Sequence, residues 1–182
     1  GVAKEIERKF LLTGLPTKLE HGETHHAQGV PADLARDTYY NIEHGWLPGQ
    51  VIQERLTRNT RGLGEYWRAI KAGKGIERIE AQERISPELF NKLWDLTSGK
   101  RISKTRYCVP ERAQGLWNGI LWEVDKFWPP VSSLIAPYQN LVMAEVELPS
   151  ADFDLQMPLW LASYVIKEVT DDPTYLNVNL AR

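Results

Sequence analysis

The stretch Glu5-Ile6-Glu7-Arg8-Lys9-Phe10 decides how the rest of this chain is read. In a β-strand, residues two apart share a face, so Glu5, Glu7 and Lys9 project to one side while Ile6, Arg8 and Phe10 project to the other. A single charged face of this kind is commonplace, because charges usually sit in water. Here the pattern recurs. Strand-like stretches bring Arg55, Lys71, Arg78 with Glu80, Lys104 with Arg106, Glu123 with Asp125, and Glu145 with Glu147. Each set keeps period two, and in 141–148 Glu145 and Glu147 alternate with Ala144, Val146 and Leu148. Same-sign pairs at that spacing gain nothing structurally. They make sense if many strands share the ionic face and a polyanion with its cations sits between them.

Composition narrows the class. A chain of 182 residues, 42% hydrophobic and with 7 Trp, has the size of one domain with a real core, and 1–182 is read as a single domain. Its 22 basic and 24 acidic residues leave a formal charge of -2, which gives no general attraction to nucleic acid or to a membrane. Anion binding must therefore come from a local arrangement. Cys108 is the only cysteine, which excludes an internal disulfide and leaves a Cys-based zinc site without partners. With no long apolar run, basic leader or small-residue cleavage site, the expected location is the cytoplasm.

The sequence predicts a first strand through Leu12, stopped by Gly14 and Pro16, then a polar segment to Asp37 with one helical turn near Ala32–Arg36. Strands over 38–47 and 51–58 flank a Pro48-Gly49 turn, and two more hairpin strands follow through Lys71 and Glu80. Ser86 reads as the N-cap of a helix with Pro87 at its first position, a buried stripe of Leu89, Phe90, Leu93 and Trp94, and Gly99 as its stop. Strands through Tyr107, Phe127 and Leu148 come next. A last helix is expected over Pro158–Thr170, ended by Asp171-Asp172-Pro173.

Glu5-x-Glu7-x-Lys9 resembles the signature strand of the CYTH domain, the triphosphate tunnel metalloenzyme family. Three charges alone match weakly, but the remaining segments agree in order: Ile42–Leu47, the Lys71 to Gln82 hairpin, Lys104-x-Arg106, the acidic strands around Glu123 and Glu145, and the closing segment from Lys167. The stand-alone bacterial inorganic-triphosphatase-like members are closest in pattern. The resemblance implies a mainly β (α+β) fold: a closed, antiparallel, eight-stranded barrel with flanking and closing helices, its lumen a charged tunnel. Lys9, Arg55, Lys71, Arg78, Lys104 and Arg106 would then hold a phosphate chain, Arg by bidentate contact and Lys as a point charge. Glu5, Glu7, Glu80, Glu123, Asp125, Glu145 and Glu147 would hold Mg²⁺ or Mn²⁺, which take hard oxygen ligands. Glu168 of the closing helix joins the acidic side, and the catalytic set is Lys9, Glu168 and Tyr40.

The implied activity is metal-dependent hydrolysis of inorganic triphosphate or a related linear triphosphate. The partner is thus a small molecule, with neither nucleic acid nor membrane, in a monomer or a homodimer. A class IV-type adenylate cyclase is one alternative. A polyphosphate- or nucleotide-binding module that has lost turnover is another, motivated by departures from the family pattern. Arg55 is flanked at i-2 and i+2 by Gln53 and Thr57 where a second arginine is usual, so a bulge would be needed to bring Arg58 in. Gln82 stands where a second acid often follows Glu80. Trp46 replaces the tyrosine of a Gly-Tyr-Leu motif, leaving Tyr39 or Tyr40 to partner Lys9, or a metal-bound water to suffice without one. His21, His25 and His26 read as a solvated loop, Trp94, Trp122 and Trp160 as packing residues, and Cys108 as a structural thiol.

Overall fold

The computed structural model describes residues 6–20, 24–27, 36–49, 52–72, 79–131 and 140–182, the side chains of 72, 79 and 80 excepted. The long strands are β1 (Ile6–Leu12), β3 (Thr38–Trp46), β4 (Ile52–Asn59), β5 (Glu65–Ala72), β6 (Ile79–Arg84), β7 (Arg101–Ala113), β8 (Leu116–Phe127) and β9 (Val142–Leu148). Two short strands are added, β2 (His25–His26) alongside β3, and β10 (Val165–Glu168) on the outer edge of β1. The sheet runs β10-β1-β9-β8-β7-β3-β4-β5-β6, and every pairing along that path is antiparallel. The eight long strands are those the sequence predicts, but among the described residues no ladder joins β6 to β1. The barrel is therefore a curled sheet not closed by hydrogen bonds.

Alternation sorts the two faces. On the outer face Phe10, Leu12, Trp122, Val124, Val142, Ala144 and Val146 pack into one apolar cluster, roofed by Leu19 of the helical turn Thr17–Glu20 and Leu161 of the turn Leu159–Ala162. Each of these side chains is almost wholly removed from water, and burying one stabilises the fold by about 1.5–3 kcal/mol before entropy is counted. The inner face carries the charges, with one apolar diagonal beneath them. Leu11, Met143, Phe127, Ile102 and Trp46 pack there against Tyr175, Leu180 and Ala181 of the C-terminal segment. That segment thereby forms a floor at one end of the lumen. Its backbone is tied on both sides: Val169 N donates to Lys9 O (2.8 Å), and Arg182 and Arg101 exchange two backbone hydrogen bonds (2.9 and 3.1 Å).

The helix Pro87–Trp94 forms as its caps predict, with Ser86 Oγ accepting from Leu89 N at 3.1 Å. Its buried stripe is narrower than expected, since Phe90 is buried while Leu93 and Trp94 are half-buried and Leu89 is exposed. The expected helix over Pro158–Thr170 is a correction. Only Leu159–Ala162 is helical, and Val165–Glu168 is extended because the edge of β1 offers backbone partners that a helix would leave unmet, pairing Phe10 with Glu168. The turn expected near Ala32–Arg36 falls almost entirely outside the described residues.

Gly45 of β3 sits under the end of the Pro87–Trp94 helix, where an added Cβ would lie 2.6 Å from Thr97 Oγ1 and 2.7 Å from Trp94 Cζ3. Gly45→Ala is expected to cost about 1–3 kcal/mol through overpacking. Gly14→Ala, whose Cβ would meet nothing within 4 Å, serves as control. Equal melting temperatures for the two variants would show that this contact does not constrain the strand.

Candidate active site

The period-two charges meet on the inner face because antiparallel register places like parity side by side. Glu7 faces Glu147, Lys9 faces Glu145, Glu145 faces Glu123, Arg106 faces Asp125, and Tyr40 faces Arg106. A cavity of about 560 Å³ opens there, walled by Glu7, Lys9, Arg55, Lys71, Lys104, Arg106, Glu123 and Glu145, with Leu176, Asn177 and Val178 of the C-terminal segment at its base. Glu147 lies exposed across from Glu7. Glu80 is paired in register with Lys71, its side chain outside the described set, and Glu5 and Arg78 lie outside the described residues. A larger hollow of about 760 Å³ on the outer face is lined by Asn41, Glu43, Arg58 and Tyr66 and receives none of the predicted site residues.

Asp125 lies behind the cavity wall. It is 2% exposed and accepts from Lys104 Nζ at 2.9 Å, from Arg106 Nε at 2.8 Å and from Arg106 Nη2 at 2.9 Å. Burial opposes its ionisation, but Arg106 and Lys104 overcome that penalty and hold the carboxyl well below the usual carboxylate range. Burial likewise pulls down the pKa of Lys104, with Asp125 opposing it, whereas Asp125 and Glu123 outweigh burial at Arg106 and hold its guanidinium firmly charged. With its oxygens given to two cations, Asp125 is placed to orient Lys104 and Arg106 rather than to ligate an ion. Glu123 is different. Burial raises its pKa, Arg106 (3.0 Å) partly offsets the rise, and Asp125 and Glu145 add to it.

The remaining predicted residues divide. Lys9 Nζ reaches Glu145 (3.1 Å) and the carbonyl of Tyr175 (3.3 Å), and among the described residues no hydrogen bond joins it to Tyr40. Tyr40 shares the inner face, and burial pushes its hydroxyl up to about 12, making it a proton donor rather than a base near neutrality. Tyr39 points the other way, into a ring cluster with His26 and Tyr107. Glu168 is not brought to the cavity. It belongs to β10, where its carboxylate bonds Arg8 on the outer face, and that hydrogen bond lowers its pKa. Arg58 does not enter either: the β3–β4 register has no bulge, and Arg58 pairs with Glu43 (2.7 Å) over Phe90 and Trp94. Cys108, opposite Glu123, is buried, and burial pushes its thiol up to about 12, as suits an inert structural thiol.

Sequence reading passed over His44. It shares parity with Tyr40 and Trp46, which was the available signal, and it lines the cavity with its Nδ1 2.7 Å from Thr57 Oγ1. Burial, with Lys104, Arg55, Arg106 and Lys71 around it, holds its pKa well below the ordinary value, so the ring is neutral. Trp46, Gln53 and Gln82 also line the cavity.

No family model matches the sequence. An inorganic triphosphatase of Nitrosomonas europaea is 33% identical over 97% of this chain and 96% of its own length. This chain belongs to the inorganic triphosphatase family. A second relative of that name, from Acetivibrio thermocellus, is 28% identical over 100% of this chain and 95% of its own. The crystal structure of an inorganic triphosphatase superposes with a TM-score of 0.60 at 28% identity, covering 99% of this chain and 95% of that one.

In this member of the inorganic triphosphatase family, removing Asp125 strands the buried Lys104 and leaves Arg106 with Glu123 alone. Asp125→Asn is expected to destabilise the fold by about 3–5 kcal/mol, measured by denaturant unfolding. The folded pKa of Asp125 is depressed, so its contribution is complete above about pH 5 and is lost as pH falls through the folded value, below the ordinary carboxylate range. Wild type and Asp125→Asn should therefore converge in stability in strong acid. A constant difference down to about pH 2 would show that the ion cluster is not its source.

Proposed function

We propose that this protein is a divalent-metal-dependent hydrolase of inorganic triphosphate, built on the CYTH-type tunnel. The observation that carries the reading is the division of one inner face: Arg55, Lys71, Lys104 and Arg106 on β4, β5 and β7 stand against Glu7, Glu123, Glu145 and Glu147 on β1, β8 and β9. A linear triphosphate with its metal presents both signs in the same way. The relatives named inorganic triphosphatase, which match nearly the whole chain, support the choice of substrate.

The donor chemistry fits the ion. Glu7, Glu147, Glu145 and Glu123 offer carboxylate oxygens in adjacent rows, as Mg²⁺ or Mn²⁺ require, although among the described residues no three such groups have converged into a ligand set. Glu5 and Glu80 are the further candidates. When bound, the ion would neutralise charge on the transferring phosphoryl group and lower the pKa of a water molecule.

The chain's own residues bind, orient and exclude water. Arg106 and Lys104, fixed from behind by Asp125, present their donors without paying to reorganise, and Arg55 and Lys71 extend that cationic wall across the cavity. Lys9, held between Glu145 and the Tyr175 carbonyl, would meet phosphate oxygens from the acidic side of the cavity. Tyr40 keeps its proton and lies opposite Arg106 in the β3–β7 ladder. The apolar floor excludes water from below.

A second reading, binding without turnover, rests on Trp46, Gln53 and Gln82 in the cavity wall. A phosphate-release panel over triphosphate, ATP, thiamine triphosphate and long-chain polyphosphate, with Mg²⁺ or Mn²⁺ and a cyclic AMP assay in parallel, separates the readings. Triphosphate is expected to be the preferred substrate. Glu7→Gln is expected to lower kcat by about 100-fold or more while leaving the melting temperature nearly unchanged, because losing a carboxylate from a crowded acidic row relieves repulsion even as it removes a ligand. Wild-type turnover by that variant would remove Glu7 from the metal side. Binding of triphosphate with no phosphate release would establish the second reading.

A further inference from the structure

His44 is only 6% exposed, yet its ring forms part of the cavity wall. Cross-strand pairing sets Thr57 directly opposite, and the Thr57 hydroxyl meets Nδ1 at 2.7 Å. Thr57 occupies the inner-face position two residues beyond Arg55, so its hydroxyl stands beside the ring on the neighbouring strand. Nε2 has no hydrogen-bonding partner among the described residues. A ring nitrogen that lacks a protein partner and borders a cavity is open to water or to a ligand.

We propose that His44 is a substrate-binding residue whose Nε2–H donates a hydrogen bond to a phosphate oxygen of the triphosphate chain, with Thr57 fixing the ring. The assignment rests on the triphosphate reading given above. A neutral imidazole carries one donor and one acceptor, and a threonine hydroxyl can take either role, so the protein can select the tautomer the occupant needs. An oxyanion at Nε2 requires a proton there. The Thr57 hydroxyl then donates to Nδ1, which is the acceptor in that tautomer. The cations around the ring favour the neutral form, so His44 adds a donor to the cationic wall without adding another charge to a site where like charges already crowd. It is a ligand for phosphate oxygen rather than a proton carrier. Its partner Thr57 acts through it and is a positioning residue.

The test uses the full chain with Mg²⁺ and a methylene-bridged, nonhydrolysable triphosphate, with affinity measured by titration calorimetry. Failure of the wild type to bind would overturn the triphosphate reading itself, before any variant is made. If the wild type binds, His44→Leu is expected to weaken affinity by about tenfold or more, the usual worth of a hydrogen bond to a charged group. His44→Gln, whose side-chain amide returns a donor close to the lost Nε2–H, should recover affinity to within about threefold of wild type. A purely structural histidine would not give a selective rescue by a donor. In the wild-type complex, ¹⁵N spectra of the His44 ring should show a neutral imidazole with its proton on Nε2. Unchanged affinity in His44→Leu, or a ring protonated on Nδ1 alone in the complex, would overturn the proposal. Should the leucine variant fail to fold, the wild-type ring spectrum decides by itself.

Discussion

Lys104 and Arg106 share Asp125, and most of the site follows from that one buried arrangement. Removing a lysine from water is costly, and at 1% exposure Lys104 has no solvent to offset the cost, so its ammonium must be satisfied by the protein. Asp125 does this from the neighbouring strand, and the same carboxylate takes two bonds from Arg106. One acid thereby holds two cations, and Glu123 adds a second contact to Arg106. Their outward edges, together with Arg55 and Lys71, are what a phosphate chain would meet.

Such an interior inverts the usual economy of a β-barrel. Because the lumen is ionic, the hydrophobic core has to be built outside the sheet. The strands can be covered only where other segments cross them, which is the role of the otherwise modest turns carrying Leu19 and Leu161. The inner apolar diagonal performs the corresponding task within. It gives the C-terminal segment something to rest on, and that segment turns an open tube into a vessel with a base.

The sequence made the strands and the sidedness of their charges legible, because period two survives translation into register: Glu7 meets Glu147, and Arg106 meets Asp125. Parity alone does not decide contact. Asp125 looked like any other inner carboxylate, and only depth distinguishes an acid buried against two cations from one bordering a cavity. Glu168 was placed with the acids on the strength of a helix that the unpaired edge of β1 prevents. Arg58 was offered as a substitute through a bulge that a regular ladder does not contain. His44 was missed because a histidine between a glutamate and a glycine carries no sequence signal apart from its parity.

The position of β1 also governs how the molecule is assembled. Residues 7 and 147 are directly paired, and β1 is flanked by β9 and β10, both of which come near the other end of the chain. Strands β3 to β6 and β7 to β9 pair as successive neighbours and β7 returns to β3, whereas β1 has no partner until β9 and β10 have been made. Long-range pairings of this sort are slow, since the entropy of closing the intervening loop is lost before the contacts repay it. Strand β1 is thus among the last to be seated, and the exposed edge of β9 must wait for it. A nascent chain would carry a nearly complete half-shell with one bare margin, the stage at which it is most open to pairing with the wrong strand.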